Sequence, residues 1–300
     1  MIALITGIGG FTGRQLSMQL HASGYTVIGL SHHSAREPIA GAERIYCADF
    51  ADQADLQQVI AEVSPDVLIH LAAISFVAHG NLSEIYQVNV VGTRNLLEAV
   101  ACSGIPVRSV LVVSSANVYG NAQEGVLNEN AIVAPANDYA VSKLAMEYVA
   151  RLYFNRLPIV LVRPFNYTGV GQSEKFLLPK IVNHVRRHAP VIELGNLDVA
   201  RDFCDVRMVV AYYAHLLACP AAIGQVVNVC SGTAYTLRQV IDMVRDISQH
   251  EFEVQVNPAF VRANEVRVLQ GDRSRLLSLV LDVPDIPLED TMRWMLTSVE

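Results

Sequence analysis

The sequence predicts an α/β fold: a doubly wound parallel sheet with a smaller, interleaved C-terminal lobe. Three observations lead there. The apolar run Ile2-Ala3-Leu4-Ile5 passes directly into a glycine-rich turn, short β-rich runs then alternate with helical stretches as far as Arg163-Pro164, and beyond that point the alternation becomes irregular. Alternation of this kind is the pattern of a parallel sheet covered by helices on both faces.

In chain order, residues 2–6 form the first strand, and residues 13–23 carry apolar residues at helical spacing. Strands at 25–30 and 44–47, a helix at 52–63 and a strand at 66–70 follow. Two long apolar helices, 82–103 and 139–155, flank the strand at 109–114 with its run Val110-Leu111-Val112-Val113. The strand at 159–163, Ile159-Val160-Leu161-Val162, ends the regular part. After it come loops around 169–173 and 195–201 and helices near 177–188 and 237–249. Val226-Val227-Asn228-Val229 reads as a strand that returns to the main sheet, so residues 1–164 plus about 204–230 form one unit, and 165–203 plus 231–300 the other.

Composition narrows the class. With 300 residues, 52% hydrophobic and 17% charged, the chain can bury one large or two smaller cores. Its apolar runs break long before the roughly 20 residues of a membrane helix. Met1 leads straight into the first strand without a basic leader, so a cytoplasmic location is expected. Cys47, Cys102, Cys204, Cys219 and Cys230 are scattered, which predicts reduced, buried small hydrophobes. A net charge of −7 argues against a general nucleic-acid partner, so an anionic ligand must be gripped by local positive groups.

The turn Thr6-Gly7-Ile8-Gly9-Gly10-Phe11-Thr12-Gly13 follows a strand and opens a helix. In that context Gly7, Gly10 and Gly13 serve the tight turn, close approach of a pyrophosphate and helix-on-sheet packing, with the helix N-terminus facing the anion. The second strand ends in Ser31-His32-His33-Ser34-Ala35-Arg36, without the acidic residue that binds an NAD ribose. Ser31, His32 and Arg36 suit a 2′-phosphate instead, which favours NADP(H), with Arg14 placed to assist. Asp49-Phe50 stands where a carboxylate can accept from the adenine amino group, and the small residues of Leu71-Ala72-Ala73 let the cofactor lie against the backbone. His70 reads as a packed, hydrogen-bonded histidine.

Tyr139 and Lys143 are four residues apart on a predicted helix and share one face, so phenol and ammonium can act on one carbonyl. Moving a phenol from its ordinary pKa of about 10 towards neutrality takes about 4 kcal/mol, part of which a nearby ammonium can supply. His184 and His188 have helical metal spacing, but Arg186 and Arg187 lie between them and no carboxylate completes a set, so no metal is expected.

The glycine loop, His70-Leu71-Ala72-Ala73, Asn89-Val90-Val91-Gly92-Thr93, Ser114 to Gly120, Tyr139 to Lys143 and Arg163-Pro164-Phe165-Asn166 resemble, in this order, the extended short-chain dehydrogenase/reductase family over nearly the whole chain. The resemblance implies a Rossmann-type fold and a catalytic set in which Tyr139 is the acid/base. Lys143 would hold the nicotinamide ribose and depress the phenol, Ser115 would hydrogen-bond the reacting oxygen, and Asn89 would support the network. It also implies a homodimer formed through helices 82–103 and 139–155.

Nucleotide-sugar dehydratases of that family carry an acidic pair where this chain has Ala116 and Asn117, so dehydration is disfavoured. Residues 195–207 and Arg262-Ala263-Asn264-Glu265 resemble the GDP-sugar branch, implying a GDP-linked 4-keto-6-deoxy sugar as ligand. Arg201 and Arg262 would then grip the diphosphate, Glu265 the ribose hydroxyls, and Asn166 a phosphate or the sugar. Asn196 belongs to the same set, and Ser75-Phe76-Val77 would lie near the sugar. A nucleotide-sugar 4-epimerase, a reductase of another nucleotide 4-keto sugar and a non-catalytic NADP-binding regulator stay open at this point.

Overall fold

The computed structural model describes residues 1–32, 37–75, 81–121, 125–261 and 266–298. From the N-terminus the chain runs β1 (Ile2–Thr6), α1 (Phe11–Ala22), β2 (Thr26–Ser31), β3 (Ala42–Cys47), α2 (Gln53–Val63), β4 (Val67–His70) and α3 (Leu82–Tyr86). A π-helical turn, Gln87–Gly92, leads into α4 (Thr93–Cys102), β5 (Ser109–Val113), β6 (Gly125–Leu127), α5 (Asp138–Arg151), β7 (Ile159–Pro164) and β8 (Asn166–Thr168). Next come α6 (Leu177–Arg186), β9 (Val191–Leu194), β10 (Ala200–Asp205), α7 (Val206–Leu217), β11 (Val226–Val229) and β12 (Ala234–Thr236). The chain ends with α8 (Leu237–Ser248), β13 (Glu253–Val256), β14 (Val268–Gly271), α9 (Ser274–Leu279) and α10 (Leu288–Thr297).

Seven parallel strands form the main sheet, in the order β11-β7-β5-β4-β1-β2-β3. β5 is buried along its whole length, as a central strand between two helical layers must be. On one face α2, α4 and α5 bury Leu56, Ile60, Leu96, Val100 and Met146. On the other, α1 and α7 bury Leu16, Leu20, Tyr213 and Leu216. Each such side chain contributes about 1.5–3 kcal/mol of transfer free energy, which is what holds the C-terminal ends of the strands, and the loops above them, in register.

Only Phe165 separates β7 from β8, so the chain passes at that point from the main sheet into a second one of order β12-β10-β14-β6, with β8 paired to β10. β6, from the first half of the sequence, supplies an edge of this second sheet through β14. β9 and β13 pair in parallel, and α6, α8 and α10 bury Ile181, Val240 and Met292 beside them.

The seven expected strands of the main sheet are all present, Val226–Val229 included. The expected helix at 82–103 is broken into α3, the π turn and α4, which brings the Asn89 side chain onto Ile74 and Ser142. The expected loop at 195–201 ends early, because Ala200 and Arg201 already belong to β10. Cys204 and Cys230 are buried as expected, whereas Cys47 and Cys102 are exposed. Among the described residues no helix is long and apolar enough to cross a membrane.

Candidate active site

Residues 113–115 at the end of β5 face α5, whose first turn is held by Asn137, the Oδ1 of which accepts the Ala140 N–H at 2.9 Å. Ser115 stands beside the Tyr139 phenol, its Oγ accepting the Asn117 N–H at 3.2 Å, and Lys143 Nζ donates to Val113 O at 2.7 Å. Burial pushes the Tyr139 phenol up to about 12, Ser115 acts against the rise, and the neighbouring Tyr167 adds to it. Lys143 was expected to depress this phenol. Burial raises it instead, and the same desolvation brings Lys143 itself down to about 8, partly opposed by Glu147.

The glycine loop has the cradle its spacing predicts. Gly7 has φ +69°, and a Cβ there would stand 2.8 Å from Ala72 N. A Cβ on Gly13 would meet Gly7 O at 2.5 Å, so α1 and the loop touch through backbone alone. Gly10 N donates to Gly7 O at 3.0 Å and closes the turn. Phe11 stacks on Tyr167 at 6.1 Å, and Thr12 Oγ1 lies 2.8 Å from the Tyr167 hydroxyl. Arg14 donates its Nε to Gly9 O at 3.1 Å, bracing the loop.

A directed chain of hydrogen bonds lies beneath the loop. Thr93 Oγ1 donates to Asn89 O at 2.7 Å and so accepts from His70 Nε2 at 2.8 Å. His70 Nδ1 then accepts from Thr6 Oγ1 at 2.8 Å, while Thr6 Oγ1 accepts the Ala72 N–H at 3.1 Å. His70 is therefore neutral and structural, and burial followed by the nearby Lys143 charge lowers it to about 3. Leu71 N donates to Thr6 O at 3.2 Å, and Ala73 continues this half-buried segment.

Ser31 ends β2 half-buried; the exposed His32 Nδ1 stands 3.7 Å from Asp49 Oδ1. Asp49 Oδ1 also accepts the Ala51 N–H at 2.9 Å, and Phe50 is buried against the His70 ring at 6.1 Å. Asn89 both accepts from Ile74 N (2.8 Å) and donates to Ser142 Oγ (3.0 Å).

On the second sheet, Asn166 is exposed and its Nδ2 donates to Asp202 O at 3.2 Å. Arg201 donates to Ala200 O and, at 2.8 Å, to Val266 O. Asn196 Oδ1 accepts the Asp198 N–H at 3.0 Å, and Ser75 is exposed. Arg36, Phe76, Val77, Arg262 and Glu265 lie outside the described residues. His184 and His188 turn towards Phe252 and His250 respectively, and among the described residues no group of three or more His, Cys, Asp or Glu could hold a metal ion.

Sequence reasoning missed Tyr167 and Glu147. Glu147 was within reach of it, because a carboxylate four residues past Lys143 continues the same helical face.

The family described as GDP-mannose 4,6 dehydratase matches residues 4–292. A GDP-6-deoxy-D-talose 4-dehydrogenase of Aggregatibacter actinomycetemcomitans is 33% identical over 93% of this chain and 91% of its own. A GDP-6-deoxy-D-mannose reductase of Pseudomonas aeruginosa is 33% identical over 99% and 96%. Among solved structures, a Burkholderia cenocepacia protein provisionally described as an epimerase is 47% identical with a TM-score of 0.93, covering 98% of this chain and 96% of that one. The RMD structure from Pseudomonas aeruginosa, complexed with NADPH, is 31% identical with a TM-score of 0.85 over 99% and 97%. The chain thus belongs to the GDP-mannose 4,6-dehydratase-like branch of the extended short-chain dehydrogenase/reductase family and is an oxidoreductase of that type.

Proposed function

We propose that the protein is a GDP-4-keto-6-deoxy-D-mannose reductase that uses NADPH to reduce the C4 carbonyl and yields GDP-D-rhamnose. The observation that carries the reading is an intact proton-transfer set beside a site stripped for dehydration. Ser115 and Tyr139 are neighbours and Lys143 stands on the same face, while Ala116 is buried and Asn117 replaces the second acidic position. Loss of water from a sugar needs a base and an acid there, and these two side chains are neither.

The residues present suit NADP(H). Gly7 leaves open the space a Cβ would fill against Ala72, and Ser31 and His32 put no carboxylate where a 2′-phosphate would sit. When bound, NADPH supplies the hydride. Tyr139 then protonates the oxygen, and a phenol held at about 12 arrives protonated at neutral pH, the state in which a reduction needs its proton donor. Ser115 orients that phenol, and Lys143 holds positive charge beneath the reacting oxygen and for the ribose.

In this reading residues 1–164 plus about 204–230 hold the cofactor and the remainder holds the nucleotide sugar through Ser75, Asn166, Asn196, Arg201, Arg262 and Glu265. The enzyme works as a homodimer through the helical segments 82–103 and 139–155, where Val91, Val141, Tyr148 and Leu152 are exposed. The kinship with the Burkholderia cenocepacia protein favours a second reading, a 4-epimerase.

The test is NADPH oxidation on adding GDP-4-keto-6-deoxy-D-mannose, with NADH and a dTDP-4-keto-6-deoxy sugar in parallel, followed by NMR assignment of C4 in the product. Oxidation confined to NADPH and the GDP sugar, with a rhamno product, is expected. A talo product would replace the stereochemical assignment. Tightly held NAD with no net consumption would replace the reductase by the epimerase.

A further inference from the structure

Three consecutive residues at the end of β5 face α5, two of them bonded to it, and the residues they face are spaced one helical turn apart. Val113 O takes the Lys143 ammonium at 2.7 Å, Ser114 Oγ donates to Glu147 Oε1 at 2.6 Å, and Ser115 stands beside the Tyr139 phenol. Residues 139, 143 and 147 lie on one face of the helix. The two outer pairs are groups placed to act on the substrate; the middle one is buried in the core.

Glu147 is 1% exposed and Arg163, from the neighbouring strand β7, is 3% exposed. Arg163 grips the carboxylate with both arms of its fork, Nε to Oε1 at 2.8 Å and Nη2 to Oε2 at 2.7 Å. Its Nη1 donates to the Tyr119 hydroxyl at 3.1 Å, and Tyr119 donates to Asn228 Oδ1 on β11 at 2.6 Å. Asn228 in turn donates Nδ2 to Leu127 O at 2.9 Å, and its N–H reaches Glu129 Oε1 at 2.9 Å. The carboxylate that receives Ser114 is thus fixed by Arg163 of β7, itself braced through Tyr119 to Asn228 of β11, and cannot follow α5 if the helix shifts alone.

A buried ion pair is weak support for stability, since desolvation of both charges offsets most of their attraction. What this pair supplies is a rigid acceptor at one height on α5. We infer that Glu147, held by Arg163, is a positioning residue for the reaction: through Ser114 it sets the height of Ser115 against Tyr139 and keeps an anion beside Lys143. The groups that face Lys143 are Tyr139 and Glu147 on its own helix, His70 on β4, and Arg163 on β7 behind the carboxylate. Of these Glu147 alone is an anion at neutral pH, so it opposes the loss of the lysine's proton.

The inference rests on the proposed proton transfer by Tyr139, and three variants separate the two. Ser114→Ala deletes one hydroxyl and leaves the Glu147–Arg163 pair whole, so it folds. Glu147→Gln removes the charge, and Tyr139→Phe is run beside them. Misplacing a reacting group by a fraction of an ångström costs about 10-fold or more in rate, so Ser114→Ala and Glu147→Gln are expected to lower kcat by about that factor while KM for both substrates stays within about 2-fold. Without its anion, Lys143 loses its proton at lower pH. Competitive labelling of the free enzyme, read by mass spectrometry, should place the Lys143 titration in Glu147→Gln about one unit below wild type. That readout does not require turnover. Ser114→Thr, which restores the hydroxyl, should recover most of the rate. Full kcat in Ser114→Ala, an effect on KM alone, or an unmoved Lys143 titration would overturn the positioning role. Turnover retained by Tyr139→Phe would instead overturn the proton transfer on which it depends.

Discussion

At the scale of single residues, the site divides groups that move protons from groups that must never take one. Tyr139 is of the first kind. Replacing it by Phe removes only the hydroxyl, so kcat should fall by about 10²–10⁴-fold while NADPH binding, followed by fluorescence, stays within about 2-fold of wild type. His70 is of the second kind. Its folded pKa of about 3 lies below the ordinary 6.5, so the unfolded chain takes up the proton first. Its contribution to stability is therefore fully present above 6.5 and is lost as pH falls from there towards 3. Between pH 7 and pH 5 the loss from this residue amounts to about 2 kcal/mol. Denaturant titrations at the two pH values should show a smaller drop for His70→Gln than for wild type, whatever the variant's absolute stability. An equal drop would mean that His70 is not the group being protonated.

At the scale of elements, the contact between α1 and the glycine loop reverses an ordinary rule. A helical glycine changed to alanine usually gains about 0.5–1 kcal/mol. At Gly13 the new methyl would lie 2.5 Å from Gly7 O and 2.6 Å from Ile8 Cα, and backbone on both sides cannot yield. Gly13→Ala should lower Tm and weaken NADPH binding at least 10-fold, an estimate of about 1.4 kcal/mol or more. Gly9, with nothing within 4 Å of its Cβ position, should accept alanine with neither effect. The same elements show what a sequence discloses. β1, β5 and β7 were legible because strands buried on both faces read as unbroken apolar runs. Tyr139, Lys143 and Ser115 were legible because their relation is local, a helical turn and a strand end. β8, β12 and β14 were not, being only 3–4 residues long and lacking an apolar run of their own. The Glu147–Arg163 pair joins residues 16 apart and depends on which strand lies beside β5, a fact of topology that spacing does not encode. Arg201 was placed in a loop because its strand partners, Tyr235 and Leu269, come from distant segments.

At the scale of the whole molecule, the outer faces of the π turn and α5 carry the assembly prediction. Val141, Tyr148 and Leu152 are spaced seven and four residues apart, and the last two are 62% and 76% exposed. Apolar side chains so placed at helical spacing need a cover. Wild type should sediment as a dimer, and Tyr148→Glu with Leu152→Glu should sediment as a monomer with its fold intact. A monomeric wild type would remove the dimer from the proposal. The order of strands has a consequence of a different kind, for synthesis. A nascent chain that has left the ribosome as far as Pro164 contains six of the seven strands of the main sheet, yet β7 is still a bare edge, because its outer neighbour β11 is encoded at 226–229. β6 waits longer still, for β14 at 268–271. The main sheet lacks its last strand until residues 226–229 are made, and the second sheet until residues 268–271 follow. Until then the half-made protein offers a neighbouring copy the same backbone edge that its own late strands are meant to fill.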